Sequence, residues 1–154
     1  YICVMRWVIQ REQEANVKVN NEIVGEIRNG LLVLCGIEEG DESNDSDWLI
    51  NKVLKMRIFS DENEKMNLSV HDISGEILLV SQFTLHAQTA KGNRPSFIRA
   101  ANPEKAKHLY EYTLNALSQL HPNKISSGQF GKDMQISCLL DGPVTIIIDS
   151  KNRE

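Results

Sequence analysis

Long apolar runs are absent from the 154-residue sequence, which holds nothing near the roughly 18 apolar residues that a transmembrane helix needs. No secretory signal peptide is recognisable, so a cytoplasmic protein that does not enter a membrane is expected. Cysteine is scarce, and its three copies cannot pair completely. Cys35 and Cys138 lie in apolar, strand-like runs, where a reduced thiol behaves as a small hydrophobic side chain. This cysteine usage indicates a reducing compartment.

Metal-binding patterns and a strongly basic composition are also missing. The histidines show no metal-ligand spacing with the cysteines, so neither a metal nor another cofactor is expected; they are His71, His86, His108 and His121. The formal net charge of −4 argues against binding along a nucleic-acid duplex, which requires many phosphate contacts. This charge does not exclude binding to a short single-stranded end of a nucleic acid.

The composition is that of an ordinary globular protein, with 41% hydrophobic and 25% charged residues. A chain of this length is expected to form a single domain over residues 1–154, with its own hydrophobic core. Residues 1–4 precede a Met5 that resembles a natural start. They are therefore expected to be an N-terminal extension outside the functional part.

Alternating apolar and polar residues predict a sheet-rich N-terminal region. Asn20-Asn21 suits a two-residue turn between strands, and Asn29-Gly30 is a strong signal for a type I′ hairpin. The pattern predicts an antiparallel meander of four strands, at Arg6–Gln10, Asn16–Asn20, Glu22–Arg28 and Leu31–Ile37.

Two helices are predicted from apolar side chains that recur every three or four residues. The first covers residues 46–56, with Asn44 or Asp45 as its cap, and the second starts at Asn102-Pro103 and stops before Pro122. Further strands are expected at Arg57–Phe59, Ile77–Val80, Met134–Leu140 and Val144–Asp149. The predicted fold class is α+β, with a mainly antiparallel, barrel-like sheet and two principal helices.

The apolar run Ile77–Val80 changes abruptly to polar residues at its end. In an extended chain, Ser81, Phe83 and Leu85 face one side of the sheet. Their neighbours, Gln82, Thr84 and His86, then face the other. A core strand that ends in this way is suited to a polar ligand with a flat apolar part. The alternative is a strand end whose polar side chains only stabilise a turn.

Three loops add features suited to binding. Lys91 and Arg94 lie in a basic turn that can contact a phosphate, unless they are simply solvated charges. Gly142-Pro143 interrupts two apolar strands, and it either projects two backbone carbonyls towards a ligand or forms an ordinary turn. Phe130 lies in a glycine-bounded segment, which is either only a loop or a position from which the ring stacks on a base.

Three motifs in combination resemble those of the D-aminoacyl-tRNA deacylase family: SQFTL at Ser81–Leu85, GNRPSF at Gly92–Phe97 and DGPVT at Asp141–Thr145. One departure is Leu140, which stands where the family usually has Asn before Asp-Gly-Pro. The resemblance spans Met5–Ile148, and four shorter segments support it, at Val8–Arg11, Met66–Val70, Gly128–Phe130 and Asp133–Gln135.

By this resemblance the protein would be a homodimer that hydrolyses the ester between a D-amino acid and the 3′-terminal adenosine of tRNA. The backbone N–H groups of Phe83 and Thr84 would be candidate oxyanion donors. Phe130 and Met134 would flank the adenine. The residues expected to line the ester are Ser81, Gln82, Phe83 and Thr84.

The resemblance also implies how D-amino acids would be selected. Gly142-Pro143 would be a Gly-cisPro element that enters the partner subunit's site, where its carbonyls exclude an L side chain. Arg11 would hold this element in its inward orientation. Because glycine has no side chain to exclude, glycyl-tRNA is expected to be hydrolysed too.

The mechanism favoured by the residues does not use a protein nucleophile. The hydroxyl of Thr84 needs an activating base, and only His86 would share its face of an extended strand. An aminoacyl ester is already activated, and the 2′-OH of the adenosine can assist attack by water, with oxyanion stabilisation supplying much of the rate. A non-catalytic binder of RNA ends and a structural dimerisation module are the alternative classes.

Overall fold

A computed structural model describes residues 4–154. The N-terminal extension expected at residues 1–4 lies outside this range except for Val4. The side chain of Val4 is buried, and its N–H donates to Oε2 of Glu38 at 2.9 Å. Val4 is therefore part of the folded structure.

The described chain contains a long first strand, two principal helices and a long last strand. The elements in chain order are β1 (Arg6–Val19), β2 (Glu22–Ile27), β3 (Gly30–Gly36), α1 (Ser43–Lys55), β4 (Phe59–Ser60), β5 (Met66–Leu68), β6 (Glu76–Ser81), a short 3₁₀ turn (Phe83–His86), α2 (Pro103–Leu120), β7 (Ile125–Ser127) and β8 (Gln135–Asp149).

The main sheet is mixed, and its two ends approach each other. The strand order is β2-β1-β3-β6-β7, and β8 pairs with the other edge of β1. Strand β1 is antiparallel to its partners, whereas β3, β6 and β7 run parallel. The N–H of Glu26 in β2 donates to Oγ of Ser126 in β7 at 3.1 Å, so the sheet nearly closes. The predicted α+β class with a barrel-like sheet and two principal helices is confirmed.

The prediction of an antiparallel meander of four N-terminal strands is wrong. The first two predicted strands form one strand of 14 residues, and β2 and β3 follow each other along its same edge. Asn20 and Asn21 have positive φ angles of 50° and 63°, so the turn predicted there is confirmed. Asn29-Gly30 is no hairpin: a Cβ on Gly30 would lie 1.9 Å from the carbonyl oxygen of Glu76, so this glycine permits close approach of β6.

Several element boundaries also differ from the prediction. Helix α1 begins earlier and is preceded by Glu42, whose N–H donates to Oδ2 of Asp45 at 2.9 Å. Its cap is therefore neither Asn44 nor Asp45. The strands predicted at Met134–Leu140 and Val144–Asp149 are one strand that continues through Gly142-Pro143, with its local irregularities against β1 near Glu12. The strand expected at Arg57–Phe59 is the two-residue β4.

The central strand β6 connects the core to the cleft described below. Ile77, Leu78, Leu79 and Val80 are all at most 1% exposed, as predicted for a strand buried on both faces. Ile77 and Leu79 pack in the larger cluster beneath α1 and α2, and Leu78 and Val80 in a smaller cluster on the opposite face. Helix α2 starts as predicted, because Oδ1 of Asn102 accepts a hydrogen bond from the N–H of Lys105 at 3.0 Å.

Candidate active site

A mostly apolar cleft of about 740 Å³ opens where β6 leaves the sheet. Its wall is formed by the end of β6, the start of the 3₁₀ turn, the segment before α2 and the loop between β7 and β8. Five of the predicted site residues line it, namely Ser81, Gln82, Phe83, Phe130 and Met134.

The chain after Ser81 turns instead of remaining extended. The N–H of Gln82 still bonds to the carbonyl of Cys35 at 2.8 Å, and the N–H of Leu85 then bonds back to the carbonyl of Gln82 at 3.3 Å. The predicted alternation of side chains from Ser81 to His86 is therefore wrong. His86 is buried, with Nδ1 3.1 Å from Oε1 of Glu38, so it does not share a face with Thr84.

Thr84 has no base to activate it among the described residues. Its Oγ1 accepts a hydrogen bond from the side-chain amide of Gln82, which is not a base. The backbone N–H groups of Phe83 and Thr84 have no acceptor in the described part of the chain, as is usual for the first groups of a helical turn. The turn thus offers two free backbone donors and no activated nucleophile.

Two aromatic pairs define the apolar character of the cleft. Phe83 is 57% exposed and meets Phe97 edge to face, with 5.2 Å between ring centroids. Phe130 packs against Tyr110 at 5.8 Å. The hydroxyl of Tyr110 donates to the carbonyl of Leu79 at 2.9 Å, and burial raises the pKa of this phenol above its ordinary value. Tyr110 is therefore a structural support for Phe130.

Met134 reaches the cleft because the neighbouring loop residue is a glycine. A Cβ on Gly128 would lie 2.6 Å from Sδ of Met134, so any side chain there would displace the thioether. Cys35 forms part of the cleft wall, but burial raises the pKa of its thiol to about 12. A thiol of that pKa stays protonated at neutral pH and does not act as a nucleophile.

Sequence reasoning did not assign several side chains of the cleft wall to the site, among them Phe97, Ile98, Lys132 and Asp133. Ile98 is 83% exposed, an unusual position for a large apolar residue next to a pocket. Lys132 and Asp133 supply opposite charges beside Met134. In the sequence, their position just before Met134, a predicted site residue, was the feature that could have indicated them.

The basic loop lies outside the cleft wall. Lys91 and Arg94 are exposed and form no ion pair among residues 4–154. The base of the loop is closed by Gln88 and Ser96, whose backbone groups exchange hydrogen bonds of 2.8 and 3.0 Å. The loop is thus held near the cleft with its charges directed to solvent.

Arg11 anchors the corner that carries Gly142-Pro143. Its Nε donates to the carbonyl of Asp141 at 3.1 Å, and its Nη1 donates to the carbonyl of Ile58 at 2.8 Å. Gly142 has a φ of 126°, and the peptide bond to Pro143 is cis. Both residues are exposed, and neither belongs to the described wall of the chain's own cleft.

Glu12 is a fully buried carboxyl group close to this corner. Neither of its carboxyl oxygens has a hydrogen-bond partner among the described residues. Burial, followed by repulsion from Glu14, raises the pKa of Glu12 from 4.5 to about 8. In the β1–β8 pairing Glu12 lies opposite Leu140, the residue that departs from the family pattern.

No group of three or more His, Cys, Asp or Glu side chains among the described residues is arranged to hold a metal ion. No helix within residues 4–154 is long and apolar enough to cross a membrane.

The sequence matches a family model described as D-Tyr-tRNA(Tyr) deacylase over residues 8–149. A protein of Flavobacterium johnsoniae named D-aminoacyl-tRNA deacylase is 54% identical over 150 residues, which cover 97% of this chain and 100% of the relative. A protein of Akkermansia muciniphila with the same name is 56% identical, with the same coverage.

Two solved structures share the fold. The c-Myc DNA Unwinding Element Binding Protein superposes with a TM-score of 0.88 at 39% identity, covering 94% of this chain and 97% of its own. A probable eukaryotic D-amino acid tRNA deacylase superposes with a TM-score of 0.80 at 17% identity, covering 95% and 99%. The second likeness concerns the fold alone.

Proposed function

The chain belongs to the D-aminoacyl-tRNA deacylase family, and we propose that its cleft hydrolyses the ester of D-aminoacyl-tRNA to free tRNA and a D-amino acid. The protein is accordingly an ester hydrolase. The observation that carries the proposed chemistry is the 3₁₀ turn, which begins in the cleft wall with Phe83. Within the described residues, the backbone N–H groups of Phe83 and Thr84 have no acceptor, and no base activates a nucleophile there. A tRNA substrate also accords with the cytoplasmic location expected above.

In the proposed reaction, water adds to the carbonyl carbon of the ester. The N–H groups of Phe83 and Thr84 stabilise the negative charge that develops on the carbonyl oxygen. The bond to the ribose oxygen then breaks, and that oxygen takes up a proton. The neighbouring 2′-OH of the substrate assists the attack, and Ser81 and Gln82 line the ester. No protein side chain forms a covalent bond with the substrate.

The terminal adenosine is proposed to lie between Phe130 and Met134. A half-buried aromatic ring and a polarisable thioether suit the two faces of a base, which stacks on any such platform. Tyr110 supports Phe130 from behind, at 5.8 Å between ring centroids. Lys91 and Arg94 are proposed to contact phosphates of the adjoining single strand.

A homodimer is proposed because β8 is a long edge strand. Its only strand partner within residues 4–154 is β1, and it exposes Leu140 and Ile147 by 42% and 65%. A long, apolar edge invites pairing with another chain unless it is covered. A second copy is the partner that carries the same surface, so it would bury both edges at once.

Selection of the D-amino acid is proposed to depend on the partner subunit. Gly142 and Pro143 are exposed and do not line the described wall of their own cleft, so they are available to enter another. Arg11 fixes the orientation of the preceding carbonyl of Asp141. A main-chain wall cannot be relieved by a change of rotamer, so an L side chain would clash with it.

Deacylation of D-tyrosyl-tRNA and L-tyrosyl-tRNA by the purified protein tests the proposed function. The D-ester is expected to be hydrolysed much faster than in buffer, and the L-ester to persist. Protection of the D-ester would instead identify a non-catalytic binder of RNA ends. No acceleration with either ester would overturn the proposal.

Glycyl-tRNA provides a second test of how the selection works. Because glycine has no side chain to meet the wall, it is expected to be hydrolysed under the conditions that cleave the D-ester. Stability of glycyl-tRNA under those conditions would contradict a purely steric exclusion of L-amino acids.

A further inference from the structure

His86 is buried behind the 3₁₀ turn whose opposite side faces the cleft. It is 4% exposed, and its Nδ1 lies 3.1 Å from Oε1 of Glu38, which is itself 2% exposed. Since Glu38 offers only acceptors as a carboxylate, Nδ1–H is the donor in this contact. The last residue of the turn is thus tied to a side chain outside it.

Glu38 is held in turn by two backbone contacts. Its Oε2 accepts the N–H of Val4 at 2.9 Å, and its own N–H donates to Oδ2 of the fully buried Asp41 at 2.7 Å. Because the side chain and the backbone N–H of Glu38 both have other hydrogen-bond partners, the position of Glu38 does not depend on His86 alone. The carboxylate is a fixed point to which the turn is attached.

Gly36 lets the turn pack closely against the end of β3. A Cβ on Gly36 would lie 3.0 Å from Nε2 of His86 and 3.1 Å from the carbonyl oxygen of Gln82. The end of β3 is therefore in close contact with Gln82, which precedes the turn, and with His86, the last residue of the turn. Without its contact to Glu38, His86 is free to move towards the cavity that both side chains line, and the turn that it ends would shift with it.

We propose that His86 and Glu38 are positioning residues for deacylation, whose contact sets the orientation of the 3₁₀ turn and of its two backbone donors. This inference rests on the proposed function. Neither side chain touches the substrate; their effect is transmitted through the backbone of the turn. A displacement of about 1 Å at a catalytic group can cost roughly a hundredfold in rate.

The test compares His86→Leu with a matched control, His121→Leu. His121 is also buried, at 3% exposure, and its Nε2 lies 2.8 Å from the carbonyl of Gly75, at the end of α2 and outside the described cleft wall. Both changes remove one polar contact of a buried histidine. Thermal unfolding measures the loss of stability, and saturation kinetics with D-tyrosyl-tRNA separate kcat from KM.

We expect kcat of His86→Leu to fall by roughly tenfold to a hundredfold with KM nearly unchanged. The His121→Leu control should lose stability to a similar extent and keep its kcat. His86→Asn, whose side-chain amide can donate to Glu38 from nearly the place of Nδ1, should recover most of the activity. If His86→Leu does not fold, Glu38→Gln carries the test, with an expected fall in kcat of about threefold to tenfold.

Equal kcat values for the folded His86 and His121 variants, or for Glu38→Gln and the wild type, would overturn the positioning role. This outcome is distinct from failure of the proposed function, in which the wild-type protein itself would not hydrolyse the D-ester.

Discussion

Thr84 presents a hydroxyl beside two unbonded backbone N–H groups, so its own part in the chemistry must be measured. The hydroxyl is bonded to the amide of Gln82, and His86 is turned away towards Glu38. A threonine without a base is a weak nucleophile. The account therefore assigns the turn's contribution to its backbone.

Replacing Thr84 by alanine should leave most of the activity. Since the backbone N–H survives in Thr84→Ala, kcat for D-tyrosyl-tRNA is expected to stay within about tenfold of the wild-type value. Asp133→Asn is a parallel variant that tests the carboxylate of the cleft wall as a base. Near-complete loss of turnover in folded Thr84→Ala, with RNA binding intact, would show that the hydroxyl takes part.

Burial raises the pKa of Glu12 to about 8, so its protonation is coupled to the stability of the fold. Below its ordinary pKa of 4.5 both the folded and unfolded chains carry the proton, so stability does not depend on it. Between this value and about 8, the unfolded chain releases the proton while the folded protein retains it. The free energy of unfolding should therefore fall as pH rises through this window, by at most about 1.4 kcal/mol per pH unit.

Glu12→Gln should stabilise the protein at neutral and higher pH. The amide is uncharged throughout, so the gain over wild type is expected to be small near pH 5 and about 1–3 kcal/mol near pH 8. Urea unfolding of both proteins across this range measures the difference. A wild-type stability parallel to that of Glu12→Gln at every pH would show that Glu12 does not titrate in this window.

At the scale of elements, the 3₁₀ turn is where the proposed catalysis resides, and proline can remove one of its donors. The first position of a helical turn tolerates proline, and Gln82 before it, with φ of −146° and ψ of 82°, lies outside the helical region that a following proline disfavours. Phe83→Pro therefore deletes one backbone N–H with little disturbance. Phe83→Ala, which keeps the N–H, is its matched control.

We expect kcat of Phe83→Pro to be about a hundredfold to a thousandfold below that of Phe83→Ala, as for loss of one oxyanion donor. The comparison cancels the loss of the aromatic ring, because neither variant has it. Steady-state kinetics with saturating D-tyrosyl-tRNA provide the measurement. Similar kcat values would mean that the N–H of Phe83 does not stabilise the transition state.

Elements with strong local signals were predictable, and those decided by tertiary contacts were not. The start of α2 follows from Asn102-Pro103, and β6 from its uninterrupted apolar run. The 3₁₀ turn was missed because alternation continues in the sequence while the chain leaves the sheet to pack against Gly36. Asn29-Gly30 has the local signature of a hairpin, but the glycine instead admits the backbone of Glu76.

Some residues of the candidate site were likewise predictable from sequence motifs, and others were not. The family motifs identify the polar end of β6, Phe130 and Met134, all of which the fold brings to one cleft. Ile98 and Lys132 reach that cleft through loop packing, which no local pattern encodes. Glu12 resembles an exposed position of an alternating strand, but the register irregularities beside it place it inside.

At the scale of the whole molecule, the proposed selection of the D-isomer requires two chains. The cleft and the Gly142-Pro143 corner are separate surfaces of one subunit. The corner is part of β8, which is an exposed edge strand. If selection of the D-isomer is exerted across the interface, each cleft depends on the corner of the other chain. Mixed dimers can therefore distinguish a wall supplied by the partner from one supplied by the same chain.

Two variants provide the components of such a dimer. Phe83→Pro disables the turn and keeps the corner intact. Pro143→Gly frees the φ angle that proline restricts and so loosens the wall, while the turn stays intact. The Pro143→Gly homodimer is expected to hydrolyse L-tyrosyl-tRNA as well as the D-ester.

The most direct measurement is the ratio of D- to L-tyrosyl-tRNA hydrolysis by the mixed dimer, isolated through a different affinity tag on each chain. Its one working cleft, in the Pro143→Gly chain, would receive the intact corner of the Phe83→Pro chain. The account predicts that this dimer regains the wild-type preference for the D-ester. Hydrolysis of the L-ester as readily as in the Pro143→Gly homodimer would contradict it.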